Sequence, residues 1–95
     1  MFIVLLRFSR NKDKAGEFME GHNAWIKRGL DDAIFLLVGS LQPNLGGALM
    51  AHNIARSDLQ NRINEDPFVV QDVVTTEIIE ITPARADARL AFLLD

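Results

Sequence analysis

Residues 2–8 read Phe-Ile-Val-Leu-Leu-Arg-Phe, and residues 33–38 read Ala-Ile-Phe-Leu-Leu-Val. Both runs are short, rich in β-branched and aromatic residues, and bounded by polar turn residues, which predicts strands. In the first, Phe2, Val4, Leu6 and Phe8 point to one face and Ile3, Leu5 and Arg7 to the other. An antiparallel sheet with one wet face alternates apolar and polar side chains along each strand. These two strands do not alternate: Arg7 is their single charge. Both faces of the sheet are therefore expected to be covered, one by helices and the other by something else.

Working outward, the apolar positions Ala15, Phe18, Met19, His22, Trp25, Ile26 and Gly29 recur at helical spacing. They predict a helix from about Asn11, a candidate N-cap, to Leu30. Gly39 to Gly47 is rich in breakers and predicts a hairpin connection, with Gly47–His52 as the third strand. Arg56–Glu65 predicts a second helix, ended by Asp66-Pro67 because the residue before proline is pushed out of the α region. Phe68–Asp72 reads as a connection, Val73–Thr82 as the fourth strand and Ala84–Asp95 as a short C-terminal helix. The order β-α-β-β-α-β is the ferredoxin-like split unit, an α+β fold with both helices on one face of the sheet. Leaving the other face bare would expose more apolar surface than a soluble monomer tolerates. A second copy packed sheet to sheet is the expected cover, with the C-terminal helix as the competing one.

The chain has 95 residues, enough for one domain. Residues 1–83 form the expected unit and 84–95 an extension. There is no cysteine, which excludes disulfides and thiolate metal sites. A formal net charge of −3 argues against nucleic acid and anionic membranes as partners. Phe2–Leu6 is too short for a signal-peptide core, and nothing approaches a membrane span. The expectation is a soluble, cytoplasmic protein.

Two residues draw attention as carriers of chemistry. His22 lies on the apolar stripe of the first helix. It is either a half-buried structural histidine or a general acid/base, a role that suits imidazole because it ordinarily titrates near neutrality. Asp66 is the natural partner, since both helices share one face of the sheet. Its bland reading is a turn aspartate before proline, and at a helix C-terminus its charge is mildly unfavourable. Trp25, one turn after His22, reads first as core and second as the floor of a pocket for a flat substrate. His52 reads as a surface residue. No HxH, HxxxH or HExxH spacing supports a metal site, and the Gly46-Gly47 region lacks a phosphate-binding pattern. Ser40 has no nucleophile-elbow context but is placed to donate a hydrogen bond to a ligand. Arg7 on the far face is expected to pair with Glu77 or to reach a partner subunit.

Taken in order, MFIVLLRF, HNAWIKRG, FLLVGS, GGALMA, EDPFV and TTEIIEITP resemble the YciI-like (YCII-related) proteins over residues 1–83. The resemblance implies a dimeric ferredoxin-like fold, the dimeric α+β barrel, and an active site centred on a His–Asp pair. That pair falls on His22 and Asp66. Members often place a small polar residue or a Gly-Pro turn near the pocket. Here the segment is Gly39-Ser40-Leu41-Gln42-Pro43, so Ser40 takes that position and the proline comes later. Residues 84–95 run past the usual end.

The leading expectation is a small, cofactor-independent acid/base enzyme in which Asp66 orients His22. Proton transfer, elimination or isomerisation on a small molecule, aromatic compounds among the candidates, would suit it, with Phe18, Trp25 and Phe68 lining the pocket. The alternative is a non-catalytic ligand-binding or structural dimeric module.

Overall fold

The computed structural model describes residues 1–95. Four strands, β1 (Phe2–Phe8), β2 (Phe35–Leu41), β3 (Gly46–Ala51) and β4 (Val74–Glu80), form one antiparallel sheet in the order β2-β3-β1-β4. Helix α1 (Ala15–Asp31) follows β1, and α2 (Arg56–Ile63) and the four-residue α3 (Pro67–Val70) lie between β3 and β4. This is the ferredoxin-like α+β fold that the order of elements predicts. No helix is long and apolar enough to cross a membrane.

The pleat sorts the side chains. Val4 lies between Leu49 and Ile78, and Phe2 beside Ala51, all on the helix-bearing face. Phe2, Val4, Leu6, Leu49 and Ala51 are buried there against Trp25, Leu59, Ile63 and Phe68 from the helices. Burying each large apolar side chain contributes about 1.5–3 kcal/mol. Helix α1 comes close to the sheet because Gly29 has no side chain: a Cβ there would run into the Phe35 ring. Trp25 ties α1 to α2 by donating its indole Nε1–H to the Arg62 carbonyl at 2.8 Å.

The opposite face carries Ile3, Leu5, Leu37, Ala48, Met50 and Ile79. Leu37 is 62% exposed and Ile79 39%. Arg7 pairs with Glu77 across β1 and β4 at 2.9 Å, leaving neither charge free of a partner on that face. The C-terminal segment borders one end of it, where Leu90 and Leu93 form a groove with Ile3 and Met50. It leaves Leu37 uncovered.

Several local expectations need correcting. Strand β2 starts later and runs further, so Ser40 is in the strand and not in the hairpin turn. Gly39, Ser40 and Leu41 pair with Ala48, Gly47 and Gly46, and this extends the ladder. The second helix ends at Ile63, and the segment read as a connection forms α3. Asp66 is therefore not an acid at a helix C-terminus. It is the N-cap of α3, with Pro67 in the first turn and its side chain accepting from the Phe68 amide at 3.0 Å. Asn11 does not cap with its side chain; its Nδ2 donates to the Gln71 carbonyl at 2.8 Å, and a 3-10 turn, Lys12–Lys14, leads into α1. The C-terminal segment is a 3-10 helix over Ala88–Leu94 with no buried residue, so no packed face rewards a regular α-helix.

Candidate functional site

Helix α1 presents His22 toward α3, and the two elements meet closely, with Gly21 beside the Pro67 ring. The His22 Nδ1–H donates to Asp66 Oδ1 at 2.8 Å. A carboxylate only accepts, so this bond places the ring proton on Nδ1. Asp66 is fully buried, and the His22 side chain is 12% exposed. The same Oδ1 accepts from the Phe68 amide, so one backbone bond and one side-chain bond fix the carboxylate. Its Oδ2 is buried without a partner. The His22 ring lies on the Phe68 ring, centroids 3.8 Å apart and planes 4° from parallel, with Trp25 at 5.9 Å.

With Nδ1 engaged, Nε2 is the free nitrogen of the imidazole. His22 lines a cavity of about 260 Å³ between α1, α3 and the sheet, with residues of all four strands in its lining. Leu6, Phe8, Met19, Ile26, Phe68 and Val74 supply its apolar walls. Gly39, Gly46 and Gly47 leave part of its sheet side as bare backbone, and His22, Asn23 and Ser40 are its polar groups. Gly46 is required by the backbone: its φ is +131°, and a Cβ there would strike the Leu6 carbonyl. A small apolar cavity with a few convergent polar groups is the usual form of a small-molecule site.

The structure thus brings together His22, Asp66, Ser40 and Phe68. It does not bring Trp25 or Phe18 to the cavity. Trp25 is 2% exposed in the core, and Phe18 packs half-buried against that core. His52 lies elsewhere, its Nε2–H donating to the Ala33 carbonyl at 3.0 Å and its ring meeting Phe92 edge to face. No group of three or more His, Cys, Asp or Glu side chains gathers where it would hold a metal ion. Asn23 and the glycines were missed by the sequence reading. Asn23 is adjacent to His22 but off the apolar stripe, where periodicity signals only a solvated face. Met19, one turn before His22, carries the signal that the stripe extends into the site.

No family model matches the chain, and no curated protein matches it. Among solved structures, it is similar to 5-chloro-2-hydroxyhydroquinone dehydrochlorinase from Burkholderia phenoliruptrix AC1100, in complex with 2,5-dihydroxybenzoquinone. The TM-score is 0.69 at 14% sequence identity, covering 85% of this chain and 93% of that one. At that identity the likeness establishes the fold.

Proposed function

We propose that this protein is a cofactor-independent acid/base enzyme acting on a small molecule, with His22 as the catalytic group and Asp66 as its positioning residue. The observation that carries the reading is the His22–Asp66 bond, which leaves Nε2 as the unpaired nitrogen of a residue lining a cavity. A proton from a substrate C–H or O–H passes to Nε2, and the electron pair stays with the substrate. Asp66, buried and with no donor on Oδ2, stabilises the imidazolium so formed. The proton then returns to a different atom, an isomerisation, or the substrate's electron pair expels a leaving group, an elimination. The structural neighbour's dehydrochlorination of a hydroquinone supports the second course and a ring-shaped substrate.

In this reading residues 1–83 are the YCII-related unit and 84–95 an extension, and the chain works in the cytoplasm. It is a homodimer through the apolar sheet face, a pairing supported by the exposure of Leu37 and Ile79. The test is turnover by wild type and His22→Asn on a panel of hydroxylated and halogenated ring compounds. Loss of turnover by about 10²–10⁴-fold with the fold retained is expected for removal of a general acid/base. Equal turnover by the variant would overturn the assignment.

A further inference from the structure

The twelve residues lining the His22 cavity include no lysine, arginine, aspartate or glutamate. Two cations of the neighbouring segment have partners of their own, and neither is among the lining residues. Arg10 pairs with Asp72 at 2.6 Å, and Lys12 Nζ lies 4.8 Å from the centroid of the Phe8 ring. The charge that does act on the cavity is the Asp66 carboxylate, buried directly behind His22. When His22 is neutral the pair carries a net negative charge; when it is protonated the pair is neutral. In neither state does the lining offer an anion a net positive partner, and a charge drawn from water without one is costly.

From this lining we infer that the site selects substrates that enter uncharged and carry a weakly acidic hydroxyl, and that it discriminates against carboxylates and phosphates of the same shape. The inference rests on the proposed acid/base reading for the role of Nε2, and it adds the substrate's charge class and its orientation. The hydroxyl that gives up its proton faces His22 Nε2: its O–H bond breaks, an N–H bond forms, and the oxyanion stays beside the new imidazolium. Negative charge is thus created in the site only together with its counter-charge. Ser40 on β2 and Asn23 on α1 are the remaining polar groups of the lining and take a second hydroxyl or carbonyl of the ligand. Ser40 lies opposite Gly47 in the ladder, and Gly47 in turn opposite Leu6, so a flat ring meets no side chain at the middle of that row. The cavity, about 260 Å³, falls just below the range of roughly 300–1,000 Å³ typical of drug-sized sites, which suits a single ring.

The experiment compares hydroquinone with 2,5-dihydroxybenzoate, the same ring bearing a carboxylate, at pH 7. Binding is read from the amide resonances of Gly39, Ser40 and Gly47. Hydroquinone is expected to shift these amides with an affinity at least tenfold above that of the carboxylate. Asn23→Lys places a cation on an exposed position of the rim and is expected to narrow or reverse the preference. Equal or tighter binding of the carboxylate to wild type overturns the inference, as does binding of neither probe at these amides. Binding needs no turnover, so the two readings fail separately. Preference for hydroquinone in a protein without activity upholds the charge selection and removes the catalytic role.

Discussion

The imidazole of His22 lies flat on the Phe68 ring, centroids 3.8 Å apart and planes 4° from parallel. Phe68 also supplies the amide that holds Asp66 Oδ1, so one residue fixes both members of the pair. Phe68→Leu keeps an apolar side chain there but removes the flat surface under the imidazole. If His22 is the proposed acid/base, this lowers kcat by about tenfold or more with a smaller change in KM, since a misplaced acid/base weakens the transition state. Steady-state kinetics beside a thermal melt separates this from simple destabilisation.

Asp66 acts both as a helix cap and as the partner of His22. Asp66→Asn keeps an oxygen acceptor for the Phe68 amide but removes the charge that the proposed mechanism uses to stabilise an imidazolium. Asp66→Ala removes the cap as well and is expected to cost a further ~1 kcal/mol of stability or more. Denaturant melts and activity measured on both variants test this. The asparagine variant should lose activity while retaining most of its stability.

Gly29 and Gly16 make a matched pair on α1. A Cβ at Gly29 would run into the Phe35 ring, whereas nothing lies within 4 Å of one at Gly16. Gly29→Ala is expected to destabilise by about 1–3 kcal/mol through overpacking. Gly16→Ala is expected to be neutral or to stabilise by up to ~1 kcal/mol through helix propensity. Chemical denaturation of the two variants shows whether the signs are opposite.

Leu37 is the most exposed large apolar side chain of the bare sheet face, at 62%. If a second copy covers that face, Leu37→Asp inserts a charge into the interface and shifts the protein to monomer. Sedimentation velocity across a concentration series reads the outcome. An unchanged sedimentation coefficient would place the contact elsewhere.

The C-terminal 3-10 helix is latched by Asp87, whose Oδ1 accepts from the Arg89 amide at 2.9 Å and from Arg89 Nε at 3.0 Å. The Arg89 side-chain bond, and then the backbone bond, hold the Asp87 carboxyl below its ordinary value of 3.8. A depressed folded value means that the latch contributes fully above that ordinary value and is lost as the pH falls through the lower one. Resonances of Ala88–Leu94 are therefore expected to move toward coil positions only below about pH 4, while those of the sheet remain in place.

Local patterning made much of this protein legible. The doubled apolar character of Phe2–Phe8 and Ala33–Val38 announced a sheet with two faces to cover, and the order of elements announced the fold. Both follow from the two-residue period of a strand and the 3.6-residue period of a helix, which need no knowledge of what lies opposite. The His22–Asp66 pair was reachable because both helices had to share one sheet face. What local pattern could not decide is where each partner ends. Asp66 became a cap because Pro67 starts a new helix, and whether a helix of four residues forms depends on the packing of Phe68. Ser40 entered a strand because its backbone finds a partner in Gly47 across the ladder, a pairing between residues distant from any local pattern. Trp25 went to the core and Asn23 to the cavity through the rotation of α1 on the sheet, set where Gly29 meets the Phe35 ring. The sequence alone therefore determined the fold and which histidine and aspartate come together. Only the tertiary structure determined the cavity, since its volume, its glycine side and its lack of charge arise between elements that are distant in the chain.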